Sequence, residues 1–125
     1  MIVILYDTQY TEYMTADKLI DGQVLELRRG IIVLVILSQL QEPRYGYGLL
    51  QQLEQAGIAI DAGTLYPLMR RLERQGVLES TWNTKEARPR KYYQLSQTGT
   101  TLYRKLLAEW QQMTTNIQAM TKGDV

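Results

Sequence analysis

The chain has 125 residues, a formal net charge of +1, and neither cysteine nor histidine. This length predicts one folding unit with a modest core, and the missing cysteines exclude disulfides, thiolate metal sites and cysteine nucleophiles. Histidine is the commonest metal ligand and general base, so its absence argues against most kinds of enzyme. We therefore expect a protein that is not an enzyme and needs neither a cofactor nor a metal.

The first 22 residues are predicted to form an N-terminal arm. The arm opens with an apolar run, Met1–Leu5, which has no basic residue before it. The run is too short for a signal peptide or a membrane span, so we expect a cytoplasmic protein. Four residues recur at helical spacing: Val3, Tyr6, Tyr10 and Tyr13. This spacing favours an amphipathic helix, whereas the β-branched residues favour a strand nearly as strongly, so both conformations stay open.

Two helices are predicted after the arm. The segment Val24–Leu40 contains the longest apolar run of the chain, Ile31–Leu37. Its β-branched content would suit a buried strand, but its length favours a helix that is buried on most sides. Pro43 ends this helix. A second, amphipathic helix opens at Tyr45–Gly48 and ends at a glycine cap, Gly57.

The clearest helical period lies between Asp61 and Gly76. Four apolar residues repeat there at i, i+3, i+4 and i+7: Leu65, Leu68, Met69 and Leu72. With Gly63 or Thr64 as the N-cap, Pro67 falls in the first turn, where its missing N–H matters little. Gly76 is expected to cap the C-terminal end.

Two β-rich runs follow, at 77–82 and 90–96, and a polar loop containing a proline joins them. This pattern predicts a hairpin with a basic tip. Trp82 and Tyr93 are expected to pair across its inner face. Two leucines complete the apolar side of the hairpin: Leu78 and Leu95.

Half of the basic residues fall between positions 70 and 91. Seven lysines and arginines in this segment stand against three glutamates, so it carries a formal +4, whereas the rest of the chain carries −3. A solvated helix face would explain any one such cluster. Here two basic elements, a helix and a hairpin, are expected to converge on one surface. This arrangement favours a polyanion such as DNA as the binding partner.

A last helix is predicted from Thr98 to about Thr121. Six residues form a seam of period 3.5 along it: Tyr103, Leu106, Trp110, Met113, Ile117 and Met120. At about 1.5 Å per residue this helix is roughly 35 Å long, too long to be covered by so small a core. We expect the seam to pack against a second copy of the chain.

Four stretches of this sequence resemble the PadR family of bacterial transcriptional regulators, in its short subfamily with one C-terminal helix. They are Leu27–Ile32, Tyr45–Gly48, Gly63–Leu68 running on to Glu73, and Arg90–Leu95 followed by Thr98–Gly99. The resemblance implies a mainly α fold with a small β-hairpin wing, that is, a winged helix-turn-helix with a long C-terminal dimerisation helix. It divides the chain into an arm (1–22), a winged-helix DNA-binding domain (23–97) and a dimerisation helix (98–121).

In such a regulator the third helix enters the major groove of DNA and the wing touches the backbone. A guanidinium can donate two hydrogen bonds to the O6 and N7 atoms of guanine. Arg70 and Arg71 are therefore the candidates for base contacts. Thr64 and Tyr66 are candidates for a phosphate or a thymine methyl, although core packing explains Tyr66 equally well. The other basic residues are expected to meet phosphates: Arg74, Lys85, Arg88, Arg90 and Lys91.

Trp110 has two interpretations. Its seam position favours a dimer contact. In short PadR-like regulators an aromatic residue here can also stack on a planar ligand between the subunits, so a small aromatic ligand is a second possibility.

These observations together favour a homodimeric, sequence-specific DNA-binding regulator of the PadR type, a repressor. Some repressors of this family are released by small aromatic or drug-like ligands, so one target that the resemblance allows is a ligand-induced gene. A narrower resemblance, to a cyanobacterial clock regulator with extra N-terminal residues, names a circadian clock gene instead. The alternative from another class is a winged helix that binds an acidic protein partner.

Overall fold

The computed structural model describes residues 15–85 and 87–124, so most of the predicted arm lies outside the described residues. The helices are α1 (Ala16–Ser38), α2 (Gly46–Gln55), α3 (Ala62–Arg74) and α4 (Gln97–Met120). The strands are β1 (Arg44–Tyr45), β2 (Leu78–Asn83) and β3 (Arg90–Leu95), which form an antiparallel sheet in the order β1-β3-β2. This arrangement confirms the predicted class: mainly α, with a small β-hairpin wing.

Helix α1 begins earlier than the sequence analysis placed it. Its start is marked by Thr15, whose side-chain oxygen accepts a hydrogen bond from the Lys18 amide at 3.2 Å. A threonine at this position is a typical N-cap, and it was overlooked because the residues that follow are not strongly apolar. The alternative of a buried strand in the segment Val24–Leu40 is therefore wrong.

The chain divides into two compact units within α1, one ending at Val33 and the other starting at Leu34. In the first unit, α1 exposes large apolar side chains. They include four at a spacing of 3.5 residues: Ile20, Val24, Leu27 and Ile31. A repeat of this kind is typical of a helix that packs on another helix.

The second unit has a core built from the end of α1, the two central helices and the sheet. Its fully buried large side chains are Ile36, Leu37, Leu40, Leu49, Leu53, Leu65 and Met69. Three of the apolar residues predicted for the third helix are buried, and the fourth, Leu68, is half-buried. The helical period therefore identified the inward face of α3.

The ends of α3 differ in detail from the expectation. The N-cap is Asp61, whose carboxylate accepts the Thr64 amide at 2.7 Å, and not Gly63 or Thr64. Pro67 is consequently the sixth residue of the helix and lies in its second turn. Gly76 follows the C-cap with φ of +78° and donates its amide to the Glu73 carbonyl at 3.0 Å, as expected of a glycine that ends a helix.

The hairpin register corrects one predicted pair. Leu78 lies opposite Leu95, and both are buried, as expected of the apolar side of the hairpin. Trp82, however, lies opposite Lys91 and is 64% exposed, whereas Tyr93 lies opposite Ser80. The predicted pairing of Trp82 with Tyr93 is wrong because the connecting loop sets the register two residues away from that pairing.

Helix α4 is anchored by a close contact at its first turn. The N-cap Ser96 accepts the Gly99 amide at 3.0 Å, and its hydroxyl lies 2.5 Å from the Gly76 carbonyl oxygen. A Cβ atom on Gly99 would lie only 2.0 Å from the carbonyl oxygen of Val77. Only glycine therefore allows α4 to leave the hairpin at this angle.

We predict that Gly99→Ala lowers the free energy of unfolding by at least about 2 kcal/mol, because the added methyl group meets backbone that cannot move alone. Urea denaturation followed by circular dichroism measures the change. The matched control is Gly22→Ala in α1, where nothing lies within 4 Å of the added atom. That variant should gain about 0.5 to 1 kcal/mol from helix propensity. Equal stability of the two variants would contradict the role of Gly99.

Candidate nucleic-acid interface

Helix α3 presents an exposed polar face opposite its buried one. Leu65, Met69 and Leu72 point into the core, so residues half a turn away point outward. The exposed residues of this face include four of the predicted DNA contacts: Thr64, Arg70, Arg71 and Arg74. The third helix therefore has the amphipathic form that its predicted role requires.

Tyr66 belongs partly to the core. Its side chain is half-buried, and its ring lies against the backbone of α2, since a Cβ atom on Gly46 would be 2.7 Å from its Cε1 atom. The structure thus supports the packing interpretation for the ring. A DNA contact by Tyr66 stays a prediction.

The wing, comprising β2, β3 and the loop between them, carries the other predicted contacts. Lys85 and Arg88 are exposed in the loop, where the Asn83 side chain accepts the Lys85 amide at 3.0 Å. Arg90 is half-buried at the start of β3, with its guanidinium 4.5 Å from the ring centroid of Tyr45. The wing therefore holds one arginine in place and exposes the basic side chains of its tip.

Lys91 differs from the other basic residues because it joins the wing to α3. Its ammonium donates a hydrogen bond to Glu73 at 2.9 Å and lies 5.0 Å from the ring of Tyr93. The Ser80 hydroxyl donates to the other oxygen of the same carboxylate. This geometry assigns Lys91 to a contact between elements, and its predicted phosphate contact stays a prediction.

The network of Glu73, Ser80 and Lys91 changes the charge equilibria of its members. The hydrogen bond from Ser80, followed by that from Lys91, holds the pKa of Glu73 below its ordinary value. The hydrogen bond to Glu73 raises the pKa of Lys91. Both groups are thus charged near neutral pH, and the pair links the basic face of α3 to the basic wing.

The sequence analysis missed a cluster at the start of α2. Tyr45 and Tyr47 line a pocket of about 410 Å³ together with Arg88 and Arg90. The Tyr-Gly-Tyr-Gly motif had marked this place only as the start of a helix. The motif could not reveal the two arginines, because they belong to the wing, more than 40 residues further along the chain.

The apolar seam of α4 is largely exposed within the single chain. Tyr103 and Leu106, near the hairpin, are half-buried. Exposure increases beyond them: 42% for Trp110, 55% for Met113, 52% for Ile117 and 87% for Met120. Apolar side chains at this spacing and exposure are typical of a helix that lacks its packing partner.

Across residues 15–85 and 87–124, no group of three or more acidic side chains could hold a metal ion. In the same part of the chain, no helix is both long and apolar enough to cross a membrane.

Helices α2 and α3, joined by a short turn and followed by an antiparallel hairpin, define a winged helix-turn-helix protein. The sequence profile of the transcriptional regulator PadR-like family matches residues 33–105. Because the match spans more than half of the chain, the chain belongs to the PadR-like family. Proteins of this family bind DNA and regulate transcription, and they are not enzymes.

Solved structures of this family are similar to the chain along most of its length. A PadR family transcriptional regulator from Eggerthella lenta has 45% sequence identity and a TM-score of 0.77, covering 86% of this chain and 96% of its own. A PadR-like regulator from Bacillus cereus has 25% identity and a TM-score of 0.72, covering 78% and 98%. No curated protein matches the sequence. Neither structure concerns a circadian clock, so the narrower resemblance gains no support.

We predict that Glu73→Gln lowers the free energy of unfolding by about 1 kcal/mol at pH 7, because a neutral amide forms no ion pair with Lys91 and offers one oxygen to two donors. The pKa of Glu73 is lowered by folding, so its contribution is present above pH 4.5, the ordinary value for glutamate, and is lost as the pH falls further. The gap between the wild type and the variant should therefore close at acid pH in urea titrations.

Glu79→Gln removes an exposed carboxylate from β2 of the wing and serves as the matched control. A gap for Glu73→Gln that stays constant from pH 7 down to pH 3 would contradict the assignment.

Proposed function

We propose that this protein is a homodimeric regulator that binds a specific operator through α3 and represses transcription. The observation that carries the proposal is the link between two basic elements. Glu73 of α3 binds both Ser80 and Lys91 of the wing, so the arginine face of α3 and the basic wing are held beside each other. DNA carries about one negative charge per 1.7 Å of its axis, a density that such a surface complements.

Within this interface the side chains divide by the kind of contact that they can make. Arg70 and Arg71 are exposed on α3 and can read guanine bases in the major groove. Thr64, at the start of the helix, is placed for a phosphate or a thymine methyl. The remaining exposed cations serve as phosphate contacts: Arg74, Lys85 and Arg88.

The proposed homodimer rests on the exposed seam of α4. A second copy would cover Trp110, Met113 and Ile117, which this chain leaves about half exposed. A twofold dimer would then meet a pseudo-palindromic operator whose half-sites lie about one or two helical turns apart. Repression is the sign of regulation that the resemblance to the family implies.

Two narrower proposals concern the target gene. Trp110, with Met113 one turn away, could contact a small aromatic ligand between subunits, which would make the target a ligand-induced gene. A circadian target rests on the N-terminal extension alone. As a DNA-binding regulator the protein would act in the cytoplasm of a bacterial cell.

The binding of an acidic protein partner is the alternative function. It predicts no preference for duplex DNA over other polyanions of equal charge. Titration of the wild-type protein with a duplex from its own upstream region, at several salt concentrations, separates the two. Operator binding predicts an affinity that falls steeply with salt and exceeds that for a random duplex. A flat salt response would reject the DNA-binding proposal.

We predict that Arg71→Ala lowers the discrimination between operator and random duplex by about 1 to 3 kcal/mol, since a bidentate guanine contact would be lost. Fluorescence anisotropy with both duplexes measures the ratio of the two affinities. Arg104→Ala, which removes an exposed arginine from α4, is the control for loss of one positive charge. Equal weakening on both duplexes would instead identify Arg71 as a phosphate contact.

We predict that Trp110→Glu yields monomers in sedimentation velocity, because a carboxylate in a covered apolar seam would have no partner. Thr101→Glu, at an exposed position of α4 outside the seam, should remain dimeric. A dimer that survives Trp110→Glu would place the subunit contact elsewhere.

A further inference from the structure

The pocket between the start of α2 and the wing is built from two aromatic and two cationic side chains. Tyr45, Tyr47, Arg88 and Arg90 line a space of about 410 Å³. Pairing of β1 with β3 places Tyr45 opposite Tyr92, and the two rings meet edge to face at 5.7 Å. The aromatic wall is therefore fixed by the sheet.

Close packing holds the start of α2 in position. A Cβ atom on Gly48 would lie 3.1 Å from the Tyr45 ring, and one on Gly46 would lie 2.7 Å from the ring of Tyr66. At each of the two glycines of the Tyr-Gly-Tyr-Gly motif, a tyrosine ring therefore packs closely against the backbone. Because Tyr66 is in the first turns of α3, the pocket adjoins the end of the helix that would enter the major groove.

The polar groups of the pocket are hydrogen-bond donors. Tyr47 is 55% exposed, and its hydroxyl oxygen accepts a hydrogen bond from the Gln51 amide at 3.2 Å, which leaves its own proton to donate. Arg88 is exposed at the wing tip. Arg90 is held over the Tyr45 ring, so the donors on which the proposal relies are Tyr47 and Arg88.

A phosphodiester with its deoxyribose fits this combination. Its oxygens can accept from a phenol and a guanidinium, and its sugar can pack against a tyrosine ring. Among the described residues, the side chains that line the pocket carry no negative charge. Because α2 contacts α3 through Gly46 and Tyr66, a phosphate bound here would belong to the duplex that α3 contacts.

We propose that this pocket binds one phosphodiester of the operator backbone in each half-site, with Tyr47 as the hydrogen-bond donor. The proposal rests on the proposed DNA-binding function and adds to it a residue that no charge count could identify. Because tyrosine is neutral, its contact contributes affinity without counterion release. Tyr47→Phe should therefore weaken operator binding while leaving its dependence on salt unchanged.

The test combines this variant with duplexes in which single phosphates are replaced by neutral methylphosphonate. On the unmodified operator, Tyr47→Phe should bind about ten- to a hundredfold more weakly than the wild type, as expected for a hydrogen bond to a charged group. At one phosphate per half-site, the replacement should weaken operator binding by the wild type. The same replacement should have much less effect on operator binding by Tyr47→Phe. Thr101→Val, which removes a hydroxyl from an exposed position of α4 outside the seam, should respond to every replacement as the wild type does.

A second variant separates the contributions of charge and hydrogen bonding. Arg88→Ala should reduce the log-log salt slope by about one unit, whereas Tyr47→Phe should leave the slope unchanged. Circular dichroism checks that both variants are folded, as expected from their exposed positions.

The outcomes distinguish this proposal from the proposed function. Suppose that the wild type binds its operator with a steep salt dependence, but that every methylphosphonate weakens Tyr47→Phe as much as it weakens the wild type. The phosphate site is then rejected, and the regulator proposal stands. If the wild type binds no duplex preferentially, both are rejected. A free deoxynucleoside monophosphate could instead compete with the operator for this pocket. If Tyr47→Phe abolishes that competition but shows no coupling to any backbone phosphate, the assignment to DNA is also overturned.

Discussion

The carboxylate of Glu73 is the contact on which the proposed interface depends. It lies on α3, near the C-terminal end of the basic face, and accepts hydrogen bonds from Ser80 and Lys91 on two different strands of the wing. Without it, α3 and the wing would still share an apolar core, but their basic side chains would lack this polar link. An acidic residue thus organises a surface whose net charge is positive, because it pairs with one lysine and leaves the arginines of α3 facing outward.

The second constraint acts at the start of α4. Ser96 and Gly99 bring this helix against the carbonyl groups of Gly76 and Val77, in the turn between α3 and β2, at a distance that a Cβ atom on Gly99 would prevent. The direction of α4 is therefore coupled to the same hairpin that carries the wing. If a second copy covers the seam of α4, the spacing of the two α3 helices depends on this junction, and so does the spacing of the half-sites that the dimer could bind. The proposed phosphate site has a similar origin, since β1 joins the start of α2 to β3.

Much of the fold could be predicted from local patterns, and particular residues show where such patterns stop. The apolar repeat from Leu65 to Leu72 identified both the inward and the outward face of α3, because one period of 3.6 residues determines the two together. Trp82 was assigned to the inner face in contact with Tyr93, but the hairpin register places it opposite Lys91, largely exposed. Strand β1 was missed, since two residues carry no period and form a strand only when β3 is beside them.

By itself the sequence determined the helices, the glycines that end them, the family, and the concentration of positive charge in one segment, because each of these is a property of residues close together along the chain. Tertiary structure alone decided which cation is paired and which is exposed, and so separated Lys91 from Arg88. It also decided that two tyrosines at the start of α2 lie beside two arginines of the wing. The physical reason is that a side chain's partner depends on distances in space, and the sheet brings together residues that are far apart in sequence.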